Sequence, residues 1–141
     1  MHLLKRKISP YTDSDQCLGV FASVEAASSA REKYISLIES GQLADPWAKQ
    51  AYHTVSLRSD VCVVSSIPLR DVASAVHKVY VVSSVSEAFG QTVREFVAIC
   101  GSEESASRSV AELEAQESDF PLSGEYQLFE LGALRASAVG A

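Results

Sequence analysis

Two stretches decide the fold: Cys17-Leu-Gly-Val-Phe-Ala-Ser23 and Phe96-Val-Ala-Ile-Cys-Gly-Ser102. They align apolar against apolar. Both continue as Ser-x-Glu-x-Ala-Ser, through Ser23, Glu25, Ala27 and Ser28 in the first and Ser102, Glu104, Ala106 and Ser107 in the second. Each is a short β-prone run that stops at a serine, so it reads as a strand running into a helix. The serine hydroxyl accepts from an otherwise orphan N–H of the first helical turn, and a glutamate in that turn complements the helix dipole. The spacing predicts a helix over 24–39, with Ala27, Ala30, Tyr34, Leu37 and Ile38 on one face and Gly41 as the stop. It predicts a second helix over 103–117, with Ala106, Val110 and Leu113 inward and Ser118-Asp-Phe-Pro121 ending it.

Working outward, Leu3-Leu-Lys-Arg-Lys-Ile8 matches Tyr80-Val-Val-Ser-Ser-Val85, and Tyr52-His-Thr-Val-Ser-Leu57 matches Tyr126-Gln-Leu-Phe-Glu-Leu131. Blocks recurring in one order mark an internal repeat. The expected fold class is α+β: tandem ββαβ units, each half of a ferredoxin-like fold, forming a pseudo-symmetric antiparallel-sheet body with helices packed on it. The two units either share one sheet or pack face to face. The first unit covers 1–58, a rigid connecting segment 59–78, the second unit 79–131 and a tail 132–141. In the connection, Val61 to Ile67 reads as a further strand or an extension of the preceding one. Leu69 to His77 reads as a short helix, with Leu69, Val72, Ala73 and Val76 apolar. The small-residue tail after Leu131 is expected to fray.

The blocks Val79-Tyr80-Val81, Ile99-Cys100-Gly101-Ser102-Glu103-Glu104 and Tyr126-Gln127-Leu128 resemble a group of short prokaryotic domains of unknown function. Gly19-Val20-Phe21-Ala22-Ser23 carries the middle block more faithfully. The resemblance implies the ββαβ fold, here in two divergent copies. It transfers no catalytic residue, because a shared fold does not imply a shared function.

The chain has 141 residues, 47% hydrophobic and 21% charged, a composition that supports a packed core. Its net charge of −6 opposes a phosphate backbone. Lys5-Arg6-Lys7, the one basic run, reads as a solvated strand face. No segment approaches the ~20 apolar residues of a membrane helix. No secretory signal is visible at the N-terminus, and Cys17, Cys62 and Cys100 form an odd set without motif spacing. Together these point to free thiols in a cytoplasmic protein with no nucleic acid or membrane partner.

The same residues offer little catalytic chemistry. His2, His53 and His77 share no ligand-like spacing with the cysteines, so no metal is expected. The chain has neither a Gly-x-Ser-x-Gly elbow nor a glycine-rich phosphate loop, and position 53 of the first copy is Gln127 in the second. The expectation is a non-enzyme without a cofactor. The repeat is broken once, by an insertion within Gly41–Gln50 that carries Asp45, Pro46 and Trp47. Asp-Pro starts a turn or a helix. Trp47 either plugs the local core or anchors a partner, since tryptophan is enriched at binding hot spots. The reading is a small acidic protein-binding module, monomeric or homodimeric, that covers a basic-surfaced protein: an immunity protein, an antitoxin or a phage anti-defence factor. The alternative is a small-molecule-binding or regulatory domain with its ligand between the two copies.

Overall fold

The computed structural model describes residues 1–7, 15–44, 62–73, 76–88, 91–116 and 122–135. Its elements run β1 (His2–Arg6), β2 (Gln16–Phe21), α1 (Val24–Glu39), β3 (Cys62–Ser66), β4 (Leu69–Arg70), β5 (Lys78–Ala88), β6 (Gln91–Cys100), α2 (Glu103–Glu114) and β7 (Leu122–Glu130). This is an α+β protein. No helix among the described residues is long and apolar enough to cross a membrane.

Both helices begin where their serines place them. Ser23 is extended and its hydroxyl accepts from the Ala26 N–H at 3.1 Å. Ser102 does the same for the Ser105 N–H at 3.2 Å. The buried stripe of α1 is Ala27, Tyr34 and Ile35, so Ile35 takes the core position expected of Leu37. α2 ends at Glu114, earlier than the sequence suggests, and buries Ser105, Ala106 and Ser109.

The first sheet has the order β2-β1-β3, antiparallel throughout. The second has the order β4-β6-β5-β7, antiparallel except for the short β4–β6 pair. Strand alternation then builds four layers. On the outer face of the first sheet, Leu4, Leu18, Phe21 and Cys62 pack against α1. On the outer face of the second, Val82, Ala98 and Cys100 pack against Ala106 of α2. Between the sheets, Leu3, Cys17 and Val20 of the first meet Val79, Val81, Ile99 and Phe129 of the second. The sheets therefore pack face to face. A register shift in β1–β2 between Leu4 and Lys5 lets both Leu18 and Phe21 face the helix while Cys17 and Val20 face the second sheet.

Two parts of the chain depart from their sequence reading, and a third lies outside the described residues. Tyr52 to Leu57, expected as the third strand of the first unit, lies outside the described residues, and the strand beside β1 is Cys62–Ser66. The expected helix over Leu69–His77 is absent among the described residues. Leu69 and Arg70 instead add to β6 beside Ile99 and Cys100, and Asp71 turns the chain with φ 54°. The segment 132–135, expected to fray, crosses to the first sheet, where Gly132 and Arg135 N–H groups donate to Val20 and Leu18 carbonyls at 2.8 and 2.7 Å. Gly19 admits this crossing, since a Cβ there would stand 2.8 Å from the Ala133 carbonyl oxygen.

Candidate functional site

Asp45, Pro46 and Trp47, the partner-binding residues suggested by the insertion, lie outside the described residues. The chain that leads to them is anchored, with the Leu43 N–H donating to Leu37 at 2.9 Å. Cys17, Cys62 and Cys100 are buried free thiols. Burial pushes Cys17 up to about 12, which keeps its thiol protonated at neutral pH. No three metal-ligating side chains converge among the described residues.

A polar cluster joins β4 to α2. Arg70 donates to Ser109 Oγ at 2.7 Å and pairs with Glu112 at 2.9 Å. The Ser105 hydroxyl donates to Asp71 Oδ2 at 2.8 Å, and Arg108 approaches the same carboxylate at 3.6 Å. Arg70 holds the Glu112 carboxyl below its ordinary range, chiefly through their hydrogen bond. A Cβ at Gly101 would sit 2.2 Å from the Asp71 carbonyl oxygen, so only glycine lets the Asp71 turn lie this close. Asp71 already supplies the negative charge that the start of α2 favours. The cluster clamps β4 in place.

An open groove of about 640 Å³ runs between α1 and the crossing segment. Phe21, Ala26, Ala30 and Leu134 give it apolar walls, and Ser29 and Lys33 line it as well. The small side chains of α1 leave the space that larger ones would fill.

The second half of the chain offers a different surface. Residues 1–75 contain eight lysines and arginines against eight aspartates and glutamates, whereas residues 76–141 contain four against ten. The whole net charge of −6 thus falls in the half that holds α2 and β7. On the helix-facing side of β7, the Tyr126 ring meets Tyr80 edge to face at 5.8 Å, and its hydroxyl donates to Glu103 Oε1 at 2.9 Å. Gly124 lies under Val110, so passing from Gly124 to Tyr126 moves from the middle of α2 to its first residue. Leu128, two residues farther, lies beyond the start of the helix and is 48% exposed. Glu130 follows, opposite Lys78. The Ser102 cap, by fixing where α2 begins, leaves an apolar and aromatic spot with acidic neighbours. In the sequence, Tyr126 and Leu128 read only as strand positions. The available signal was the uneven split of charge between the halves.

No family model, curated protein or solved structure matches this chain.

Proposed function

We propose that this chain is a non-enzymatic protein-binding module that presents its acidic second half to a basic-surfaced partner. One observation carries the reading: the half with all of the net charge also holds exposed Leu128 beside Tyr126 and Glu103. Apolar and aromatic anchors supply binding energy at an interface, and a charged surround supplies on-rate and selectivity. An inhibitor needs little more than this on a rigid scaffold, so the proposed class is an immunity protein, an antitoxin or a phage anti-defence factor working in the cytoplasm. The scaffold in this reading is a pair of divergent half-ferredoxin-like units. The strand orders β2-β1-β3 and β6-β5-β7 support it, since each puts the first strand of its unit in the middle. Asp45, Pro46 and Trp47 remain a second proposed contact.

The test is affinity capture from the native host with the wild-type chain and with a Glu103→Lys, Glu104→Lys, Glu130→Lys variant. The expected result is a basic protein retained by the wild type, released by salt and lost with the variant. Retention of the same proteins by both would refute the reading. The groove against α1 favours a second reading, a small-molecule site at the junction of the two halves, because its volume falls within the range of ligand pockets. Ligand-dependent thermal shifts abolished by Ala30→Trp would support that reading instead.

A further inference from the structure

We propose that the outer edge of β7 accepts an extended segment of a basic partner as an added strand, with apolar residues against Tyr126 and Leu128. This rests on the protein-binding reading above and names the form the partner takes. The geometry follows from one hydrogen bond. The Leu131 N–H donates to the His77 carbonyl at 2.8 Å, continuing the ladder in which Glu130 faces Lys78 and Phe129 faces Val79. Residues of an antiparallel strand alternate between those bonded to the neighbour and those whose backbone groups point away. Phe129, Gln127, Glu125 and Ser123 therefore bond to β5, and Leu128, Tyr126, Gly124 and Leu122 direct their N–H and C=O groups outward.

Sheet edges are usually blunted by shortness, proline, lysine or a bulge. β7 is nine residues long, contains no proline or lysine, and pairs with β5 without a register shift. Among the described residues no strand takes its outer side. Its far end is closed, because the Glu130 carbonyl accepts from the Ala133 N–H at 3.3 Å. The open stretch is Leu122 to Leu128. A strand added there places alternate side chains on the α2 side, against Tyr126 and half-exposed Leu128, and the others on the side of Glu125, whose Oε1 Arg94 already pairs at 2.8 Å. Apolar residues suit the first set and lysine or arginine the second. A second copy of this chain would bring the same acidic half into contact, and like charge disfavours it. Strand addition draws its affinity from main-chain hydrogen bonds and its selectivity from alternate side chains, which fits an alternating apolar and basic segment.

The experiment uses the 15N-labelled full chain and a synthetic peptide, as long as β7, that alternates valine and lysine, at about 0.15 M salt. Two N-methylated versions carry the methyl groups on the valines or on the lysines. The expected result is slowed exchange of the Gly124, Tyr126 and Leu128 amides. One methylated set, the one facing the edge, should weaken binding about tenfold while the other changes it little. Leu128→Pro removes one outward N–H and keeps every bond to β5, so it should also weaken binding about tenfold. Leu128→Lys, which leaves the backbone untouched, should do so by removing the apolar contact with the valines and leaving a charge against them. Binding that resists both methylated sets and protects no amide would overturn strand addition and leave an acidic binding face. Absence of binding at about 1 mM peptide would overturn strand addition as well, while the capture experiment judges the wider reading on its own. Protection of the same amides without peptide, with a dimer in sedimentation, would assign the edge to a second copy and overturn the proposal.

Discussion

Replacing Ile99 with alanine tests whether the two sheets form one cooperative unit. Ile99 is fully buried in β6 and shares its cluster with Leu3, Cys17 and Val20 across the sheet interface. The substitution removes three carbons, about 2.4 kcal/mol of transfer free energy at ~0.8 kcal/mol per methylene. The cavity left in a rigid interior raises the cost to about 4 kcal/mol. Against a total stability of roughly 5–15 kcal/mol the variant still folds. Native-state hydrogen exchange reads the consequence separately in each sheet. If the interior belongs to both, the slowest amides of β1 and β2 speed up as much as those of β5 and β6, by about three orders of magnitude at a factor of ten per ~1.4 kcal/mol. Unchanged exchange in β1 and β2, with β5 and β6 accelerated, would refute the argument. It would mean two separately stable units that touch without folding together.

Ser23→Ala and Ser102→Ala should each cost about 1 kcal/mol in urea unfolding, and the two should add, because each removes the cap of a different helix. Gly101→Ala drives a Cβ into the Asp71 carbonyl and should destabilise by about 1–3 kcal/mol while releasing Arg70 from Ser109 and Glu112, visible as loss of exchange protection in β4. Cys17 should resist iodoacetamide in the native protein. Its thiol is raised from 9.0 to about 12, so its contribution to stability is present below pH 9 and lost as pH rises toward 12; Cys17→Ala should flatten alkaline unfolding in that window. Trp47→Ala should weaken partner binding by about 2 kcal/mol if Trp47 is an anchor. If it is a core plug, thermal melts should instead show a loss of about 3–5 kcal/mol with the affinity of the folded fraction unchanged.

The helices and first strands were legible because their signals are local. A serine cap, a glutamate in the first turn and a stripe of small apolar residues act within a few positions of one another, and α1 spans Val24–Glu39 as the spacing predicts. The connecting segment was less legible, because apolar spacing at Leu69, Val72, Ala73 and Val76 suits a helix only if nothing competes. Here Gly101 lets the backbone of Asp71 approach, and Leu69–Arg70 gains a place beside β6 that no short window contains. The docking of residues 132–135 on β2 is non-local in the same sense, since it depends on a strand more than a hundred positions earlier.

The proposed binding surface is harder still to read, because exposure there results from what each element fails to cover. Leu128 looks like any apolar residue of an alternating strand. It is exposed because α2 begins at Glu103, beside Tyr126, and because β7 ends its sheet among the described residues. The first cause traces to Ser102, a residue whose evident role is to cap a helix. The second traces to the order β4-β6-β5-β7, in which the long pairing of β5 with β6 on one side and β7 on the other leaves β7 one neighbour among the described residues. Charge is the part of the surface that composition does carry. Four basic against ten acidic residues after position 75, beside parity before it, mark which half should meet a basic partner before any strand is placed. Sequence thus gives the sign of the proposed partner, and the proposed edge and its anchors follow only once the topology is known.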